Sequence, residues 1–315
     1  MPSSERARER VWDAGRAVDV GATLGPLRRG AGDPAHLLDA AGVFWWACDT
    51  PDGAGTLALR AAAGVVSARS WGPGAGWLLD RVPALLGAGD DWSSLDLSTQ
   101  PRLRDVLRRR PGLRLAATGL IMDALVPAVL EQRVTGADAR RAWRLLLRRF
   151  GTPAPGPVDA LRVPPCARVL LDIPSWDWHL LGVDAQRQRA IRAAATVASR
   201  LEECVTLDAA AAAAAVAAAV LARLRTVPGI GEWTAAETAQ RALGHPDAVS
   251  VGDYHIKDLV VHFLTGRPRG DDAEMVRLLE PWAGQRQRVV RLIELSGVGK
   301  PRFAPRLAPV DIRAI

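Results

Sequence analysis

Cysteine is scarce in this chain, and the three present, Cys48, Cys166 and Cys204, stand far apart with no CxxC pair among them. That spacing supplies neither a disulfide framework nor a clustered metal-ligand set, so the thiols are expected to be reduced and structural. Lysine is scarcer still: of 41 basic residues only Lys257 and Lys300 are lysines. Long apolar runs are missing too. The alanine-rich stretch Ala209 to Ala219 is short, weakly apolar and followed by arginines, which excludes a membrane span there. The opening MPSSERARERVW lacks the apolar core of a secretory signal, and a cytoplasmic protein is expected.

What is present is arginine, alanine and glycine in a chain of 315 residues with a formal net charge of +7. Such a charge favours a polyanionic partner, and arginine suits bidentate phosphate contacts. A high-GC genome explains the arginine bias equally well. At 49% hydrophobic residues the chain has ample material for a buried core.

From about Arg16 to Trp71 the pattern is short and strand-like. It covers Ala17 to Leu24, Val43 to Cys48, Thr56 to Ala61 and Val65 to Trp71, with a short helix expected over Pro34 to Ala41 and another over Ala75 to Leu86. This predicts an α+β unit on an antiparallel sheet over residues 1–98. From Gln100 onward helical periodicity dominates, and residues 99–315 are expected to be a helical region. Its helices are placed over Arg102 to Arg110, Leu120 to Val134, Gly136 to Phe150, Asp184 to Cys204, Asp208 to Arg225 and Glu232 to Leu243, with two more after Lys257. Asp208 is the expected N-cap of the alanine run. Residues 151–165 form a proline-rich connector, and the arginine face of 102–110 is either solvated or turned to a polyanion.

The stretch Val227-Pro228-Gly229-Ile230-Gly231 turns the chain sharply between two helical runs, 221–243 as a whole. Pro228 presets φ, the glycines permit positive φ, and the second helix begins with free N–H groups suited to a phosphate oxygen. An ordinary helix corner fits these residues equally well. The tie is broken by Asp253, 22 positions after Gly231 in the loop 249–257, Val-Ser-Val-Gly-Asp-Tyr-His-Ile-Lys. With this aspartate the chain resembles the HhH-GPD superfamily of DNA base-excision glycosylases, most closely the AlkA-type 3-methyladenine DNA glycosylase II.

The resemblance implies a mainly helical glycosylase fold with an N-terminal antiparallel-sheet domain, and double-stranded DNA with damaged bases as the partner of a monomer near the nucleoid. It implies that Asp253 is catalytic, facing the sugar of an everted nucleotide. Val227, Gly229, Ile230, Gly231 and Thr234 would meet the DNA backbone, and a monovalent cation on the hairpin carbonyls is a family possibility. Bifunctional members carry a nucleophilic lysine two residues after the second hairpin glycine. Trp233 stands there instead, so a monofunctional, hydrolytic enzyme for 3-methyladenine or 7-methylguanine is expected. No cysteine follows Cys204, which excludes the iron–sulfur loop of some relatives.

Trp233 matches a pocket tryptophan of the family, and Glu237 stands where the family has an aromatic. Gln132 matches a family glutamine, whereas Arg133 replaces the leucine that wedges into the gap left by the flipped base. Trp176 and Trp178 are further pocket candidates, with core filling the alternative that aromatic distribution favours. The aromatic expected late in the closing helix has no match, although Trp282 lies near. Arg133 and Glu237 argue for a non-catalytic DNA-binding protein, Asp253 against it. A glycosylase for oxidised guanine or mispaired adenine is disfavoured by the missing lysine and cluster.

Overall fold

The computed structural model describes residues 6–205 and 213–299. The expected cap Asp208, Lys300 and the tail 300–315 lie outside the described residues. The chain opens with strand β1 (Arg8–Asp13) and helix α1 (Val20–Leu24), followed by β2 (His36–Leu38), β3 (Phe44–Thr50), β4 (Gly53–Ala62), β5 (Val65–Trp71) and helix α2 (Ala75–Leu85). The five strands form one antiparallel sheet in the order β1-β5-β4-β3-β2. The β4–β5 hairpin turns through Ala63 and Gly64, both at positive φ (49° and 83°), the backbone that matches a two-residue hairpin to the right-handed twist of its strands. Leu78, Val82 and Leu85 of α2 pack with Phe44, Trp46, Leu57, Leu59 and Val66 in one apolar core.

Two expectations fail here. Val20–Leu24 is a helix and not part of a strand over Ala17 to Leu24, because the Asp19 side chain accepts from the Ala22 N–H and caps it. The stretch expected to be a helix over Pro34 to Ala41 instead gives edge strand β2, paired with Trp46, Trp45 and Phe44 of β3. Asp33 takes the Ala35 N–H and Asp39 the Ala41 and Val43 N–H groups, so both ends are held as turns.

The helical part begins with α3 (Pro101–Arg109), α4 (Ile121–Leu130) and α5 (Gly136–Phe150). Helix α4 stops four residues short of the expected Val134. The connector carries a two-strand ribbon, β6 (Thr152–Pro153) and β7 (Arg162–Val163), and leads to α6 (Ala167–Asp172), α7 (Ser175–Leu180), α8 (Ala185–Thr196) and α9 (Ala198–Glu202). One helix had been expected over Asp184 to Cys204; it breaks at Val197. Helices α10 (Ala213–Arg225), α11 (Glu232–Leu243), α12 (Ile256–Thr265), α13 (Asp272–Leu279) and α14 (Arg286–Leu295) complete the fold. One apolar core joins α4, α5, α8 and the turn residues Val227 and Ile230; a second joins α3, α12, α13 and α14. Of the cysteines, Cys48 and Cys204 are buried and all three are free thiols.

A buried polar cluster ties the sheet unit to the helices. Asp33 accepts from the Arg29 and Ala35 amides and from the Trp143 indole of α5, and it faces His36 Nδ1 at 3.1 Å. Asp123 of α4, deep in the same cluster, accepts from Trp46 Nε1 at 3.3 Å. Burial pushes its carboxyl up to about 6, against the pull of His36, the Trp46 hydrogen bond and Arg29. A raised carboxyl leaves the folded state at no disadvantage below the unfolded pKa and penalises it as pH climbs through the folded one. Asp123→Asn keeps an acceptor for Trp46 and removes that penalty. In urea unfolding, its stability relative to wild type should be about 2 kcal/mol more favourable at pH 8 than at pH 4.5. An effect independent of pH would contradict this account of Asp123.

Candidate active site

The turn between α10 and α11 is anchored from within. Val227 and Ile230 are buried in the helical core, and their N–H groups close the turn on the Leu224 and Val227 carbonyls at 3.2 and 3.0 Å. They are therefore supports, not donors for a ligand. The two glycines differ. Gly229 sits at φ +87°, and a Cβ there would lie 2.7 Å from the Ala190 methyl of α8, so the protein's own packing demands glycine. Gly231 has φ −89° and ψ −175°, extended backbone open to any residue, and a Cβ there would meet nothing within 4 Å. It precedes α11, whose first turn has no side-chain cap, so that turn's N–H groups remain for an outside acceptor.

Asp253 follows Gly252, which is at φ +90° and whose N–H donates to Asp272. Its Oδ1 accepts from the His255 and Ile256 amides at 2.6 and 2.9 Å, fixing it at the start of α12. Its Oδ2 accepts from Trp233 Nε1 at 3.0 Å. Lys257 is engaged by Asp272 at 3.3 Å.

A cavity of about 330 Å³ opens beside this carboxylate, a volume suited to a small planar group. Asp253, Ser250 and Ile256 form one side, Glu237, Gln240 and Arg241 of α11 another, and Gln287, Val290, Arg291 and Glu294 of α14 a third. The remaining wall is Thr23 and Gly25 to Leu27 at the end of α1, with Arg114 to Ala116. Glu237 is buried, not surface decoration. Ser250 Oγ donates to its Oε1 at 2.5 Å and Arg241 Nη1 to its Oε2 at 2.8 Å. Burial pulls the Arg241 guanidinium down, but the charges of Glu237 and Glu131 outweigh it and hold it above its ordinary range.

Three pocket assignments change. Trp178 is fully buried in the helical core and Trp176 is 68% exposed on α7; neither lines the cavity. On a helix, residues two apart point to nearly opposite sides, so the turn that buries Trp178 leaves Trp176 at the surface. Trp233 is not in the lining either: its indole holds Asp253. Trp282 is buried against the second helical core and donates to the Asp96 carbonyl. No aromatic side chain lines the cavity among the described residues.

The turn after α4 comes up against the hairpin. Gln132 Nε2 donates to the Gly229 carbonyl at 3.0 Å and to Thr234 Oγ1 at 2.8 Å. Gln132 is thus a brace, not a free wedge, and the Thr234 hydroxyl is buried and occupied, not offered to DNA. Arg133 stands exposed at φ +54°, a strained backbone for a side chain of its size. Two hairpin carbonyls, of Val227 and Gly229, are already taken by Ile230 N–H and Gln132. Each of these oxygens keeps a second lone pair, so the monovalent cation stays an expectation from the family resemblance, and no step is assigned to one. Among the described residues no three His, Cys, Asp or Glu side chains converge as metal ligands. On α3, Arg102 stacks on Phe263 at 4.4 Å and Arg108 pairs with Asp105, and Arg110 just past the helix pairs with Asp19, while Arg104 and Arg109 are exposed.

The walls from α1 and residues 114–116 left no mark in the sequence. Helix α14 did: Gln287, Val290, Arg291 and Glu294 recur at the i, i+3, i+4, i+7 spacing of one helix face.

No family model matches the chain. By sequence it is 33% identical over 162 residues to a curated Mycobacterium tuberculosis protein named "Probable bifunctional transcriptional activator/DNA repair enzyme AlkA". The match takes in 51% of this chain and 31% of that protein, so the chain spans about a third of its relative. By structure it matches the 3-methyladenine DNA-glycosylase of Archaeoglobus fulgidus with a TM-score of 0.73 at 15% identity, covering 91% of this chain and 98% of that one. It also matches the Clostridium acetobutylicum 8-oxoguanine glycosylase/lyase bound to double-stranded DNA, with a TM-score of 0.67 at 10% identity over 92% and 97% of the chains. The fold is that of the HhH-GPD-type glycosylases, and the resemblance read from the hairpin and Asp253 stands.

The two hairpin glycines should separate folding from binding. Gly229→Ala meets both a left-handed backbone and the Ala190 methyl, and should cost about 1–3 kcal/mol in urea unfolding. Gly231→Leu should change stability by less than about 1 kcal/mol. It should weaken binding to damaged and undamaged duplexes alike by roughly tenfold or more in fluorescence anisotropy at fixed salt, because a phosphate grip carries no sequence information. Wild-type affinity in a folded Gly231→Leu protein would remove the hairpin as the backbone grip.

Proposed function

We propose that this protein is a monofunctional DNA N-glycosylase that removes alkylated purines of the 3-methyladenine and 7-methylguanine type from double-stranded DNA, acting as a cytoplasmic monomer. The observation that carries the reading is the Asp253 carboxylate, held by three N–H donors at the wall of an open cavity. Breaking an N-glycosidic bond places positive charge on the sugar, and a carboxylate already fixed in position stabilises that charge without reorganising. The same group orients and deprotonates the water that attacks C1′. The hairpin holds one strand, and the target base leaves the stack for the cavity at a cost of a few kcal/mol.

Hydrolysis follows from what occupies the nucleophile's place. Trp233 offers an indole N–H already given to Asp253, and Lys257 is paired with Asp272 outside the cavity lining. Among the described residues no amine stands ready to form a Schiff base with the sugar. Bases alkylated at N3 or N7 are supported by two features. They are cationic and leave readily, and the Asp253 carboxylate lies in the wall. The Archaeoglobus fulgidus structure sharing this fold is itself named a 3-methyladenine glycosylase.

A duplex with a single 3-methyladenine should yield free base and an intact abasic strand that breaks only on added alkali, with no protein–DNA adduct under borohydride. Strand cleavage without alkali, or a trapped adduct, would overturn the monofunctional reading. Release of no alkylated base beside tight DNA binding would favour a non-catalytic protein.

A further inference from the structure

The cavity walls are polar, and nearly every polar group in them is spent. Glu237 is engaged by Ser250 and Arg241. The Gln240 amide nitrogen donates to the Ala248 carbonyl and Ser250 Oγ at 2.8 and 2.9 Å. Arg291 is held by Glu294 and the Ala22 carbonyl. Gln287 is different. It lies in the lining on the first turn of α14, is only 7% exposed, and its Oε1 has no hydrogen-bond partner. That oxygen is itself shut off from solvent; a buried amide oxygen without a donor weakens the folded protein, and a turn of the side-chain amide as a base enters the site is what lets it find one. With no aromatic face in the lining among the described residues, the wall offers edge contacts in place of stacking on a ring.

We propose that Gln287 is the specificity-determining residue of this cavity, its amide pairing with the donor–acceptor edge of an everted purine. This rests on the glycosylase reading above. An amide presents one acceptor and one donor side by side, the complement of an N–H beside a ring nitrogen or a carbonyl. That edge is intact in purines alkylated at N3 or N7, because those positions lie away from it. It is closed in 1,N6-ethenoadenine, whose amino nitrogen is locked in a second ring without hydrogen. The cavity therefore takes the first class and refuses the second, since a site built around a hydrogen bond leaves its own buried group unpaired with the wrong base.

The test compares single-turnover excision by wild type and Gln287→Leu on duplexes holding one 3-methyladenine or one 1,N6-ethenoadenine, each rate divided by spontaneous depurination of the same duplex. Wild type should act on the first and scarcely on the second. Gln287→Leu should slow 3-methyladenine excision roughly 10- to 100-fold while the 1,N6-ethenoadenine rate stays level or rises. Its thermal midpoint should match or exceed wild type, because an unpaired buried amide has been replaced by an apolar group of similar size; Gln287→Met replaces it if leucine lowers the midpoint. An unchanged 3-methyladenine rate in a folded variant, an equal slowing on both duplexes, or a wild type that prefers 1,N6-ethenoadenine overturns this inference and leaves the glycosylase reading intact. A wild type inactive on both duplexes strikes the glycosylase reading, and the inference falls with it.

Discussion

The hydrogen bond from Trp233 Nε1 to Asp253 Oδ2 joins the two elements whose relative position decides whether chemistry can occur. Trp233 belongs to the first turn of α11, the same turn whose uncapped N–H groups face outward beside Gly231. Asp253 belongs to the loop that opens α12 and is fixed from the other side by the His255 and Ile256 amides. One rigid unit therefore carries both the turn proposed to grip a phosphate and the charge proposed to lie against a sugar. Misplacing such a charge by a fraction of an ångström to an ångström is costly, because preorganisation is what makes it effective. The tryptophan occupying the nucleophile's place thus has a positive role: it spends its N–H on holding the carboxylate.

The cavity is joined to the hairpin and the α4–α5 turn by a run of buried charges. Arg241 bonds Glu237 and the Pro26 carbonyl of the N-terminal wall. Arg29, buried beside it, bonds Glu131, and the next residue, Gln132, braces the hairpin at Gly229. Burial depresses the Arg29 guanidinium, and repulsion from Arg241 adds to it, with Glu131 and Glu237 opposing. Buried pairs of this sort contribute little net stability, since desolvation consumes most of the attraction, but breaking one strands a charge. Their effect here is positional: the α4–α5 turn, the cavity wall and the hairpin are held in one arrangement.

Much of this was legible in the residues. The hairpin and α11 follow from local rules, a proline and two glycines between periodic runs, whereas Asp253 stood out only through the family resemblance, and Glu232–Leu243 and Gly136–Phe150 are helices over the residues the periodicity gave. The failures share a cause. Val20–Leu24 and His36–Leu38 are short, and a capping aspartate in one case and pairing to β3 in the other outweigh the local pattern. Periodicity could not choose between Trp176 and Trp178, because burial of one and exposure of the other depends on how α7 lies on the core. Gly229 carries a packing demand that the sequence hides for the same reason: a glycine required by Ala190, 39 positions earlier, looks identical in sequence to one kept open for a ligand. The α14 wall was visible as a helix face, but nothing in its residues said which cavity it faced.

The central claim is that the fixed charge of Asp253 drives bond cleavage, and Asp253→Asn tests it most directly. Asparagine keeps the size and one acceptor oxygen while removing the charge, and circular dichroism and thermal unfolding check the fold. Single-turnover excision of 3-methyladenine from a defined duplex should fall by roughly 100-fold or more, whereas affinity for an abasic-site duplex should change only a few-fold, because the hairpin grip is intact. A folded Asp253→Asn protein that excises at the wild-type rate would contradict the account.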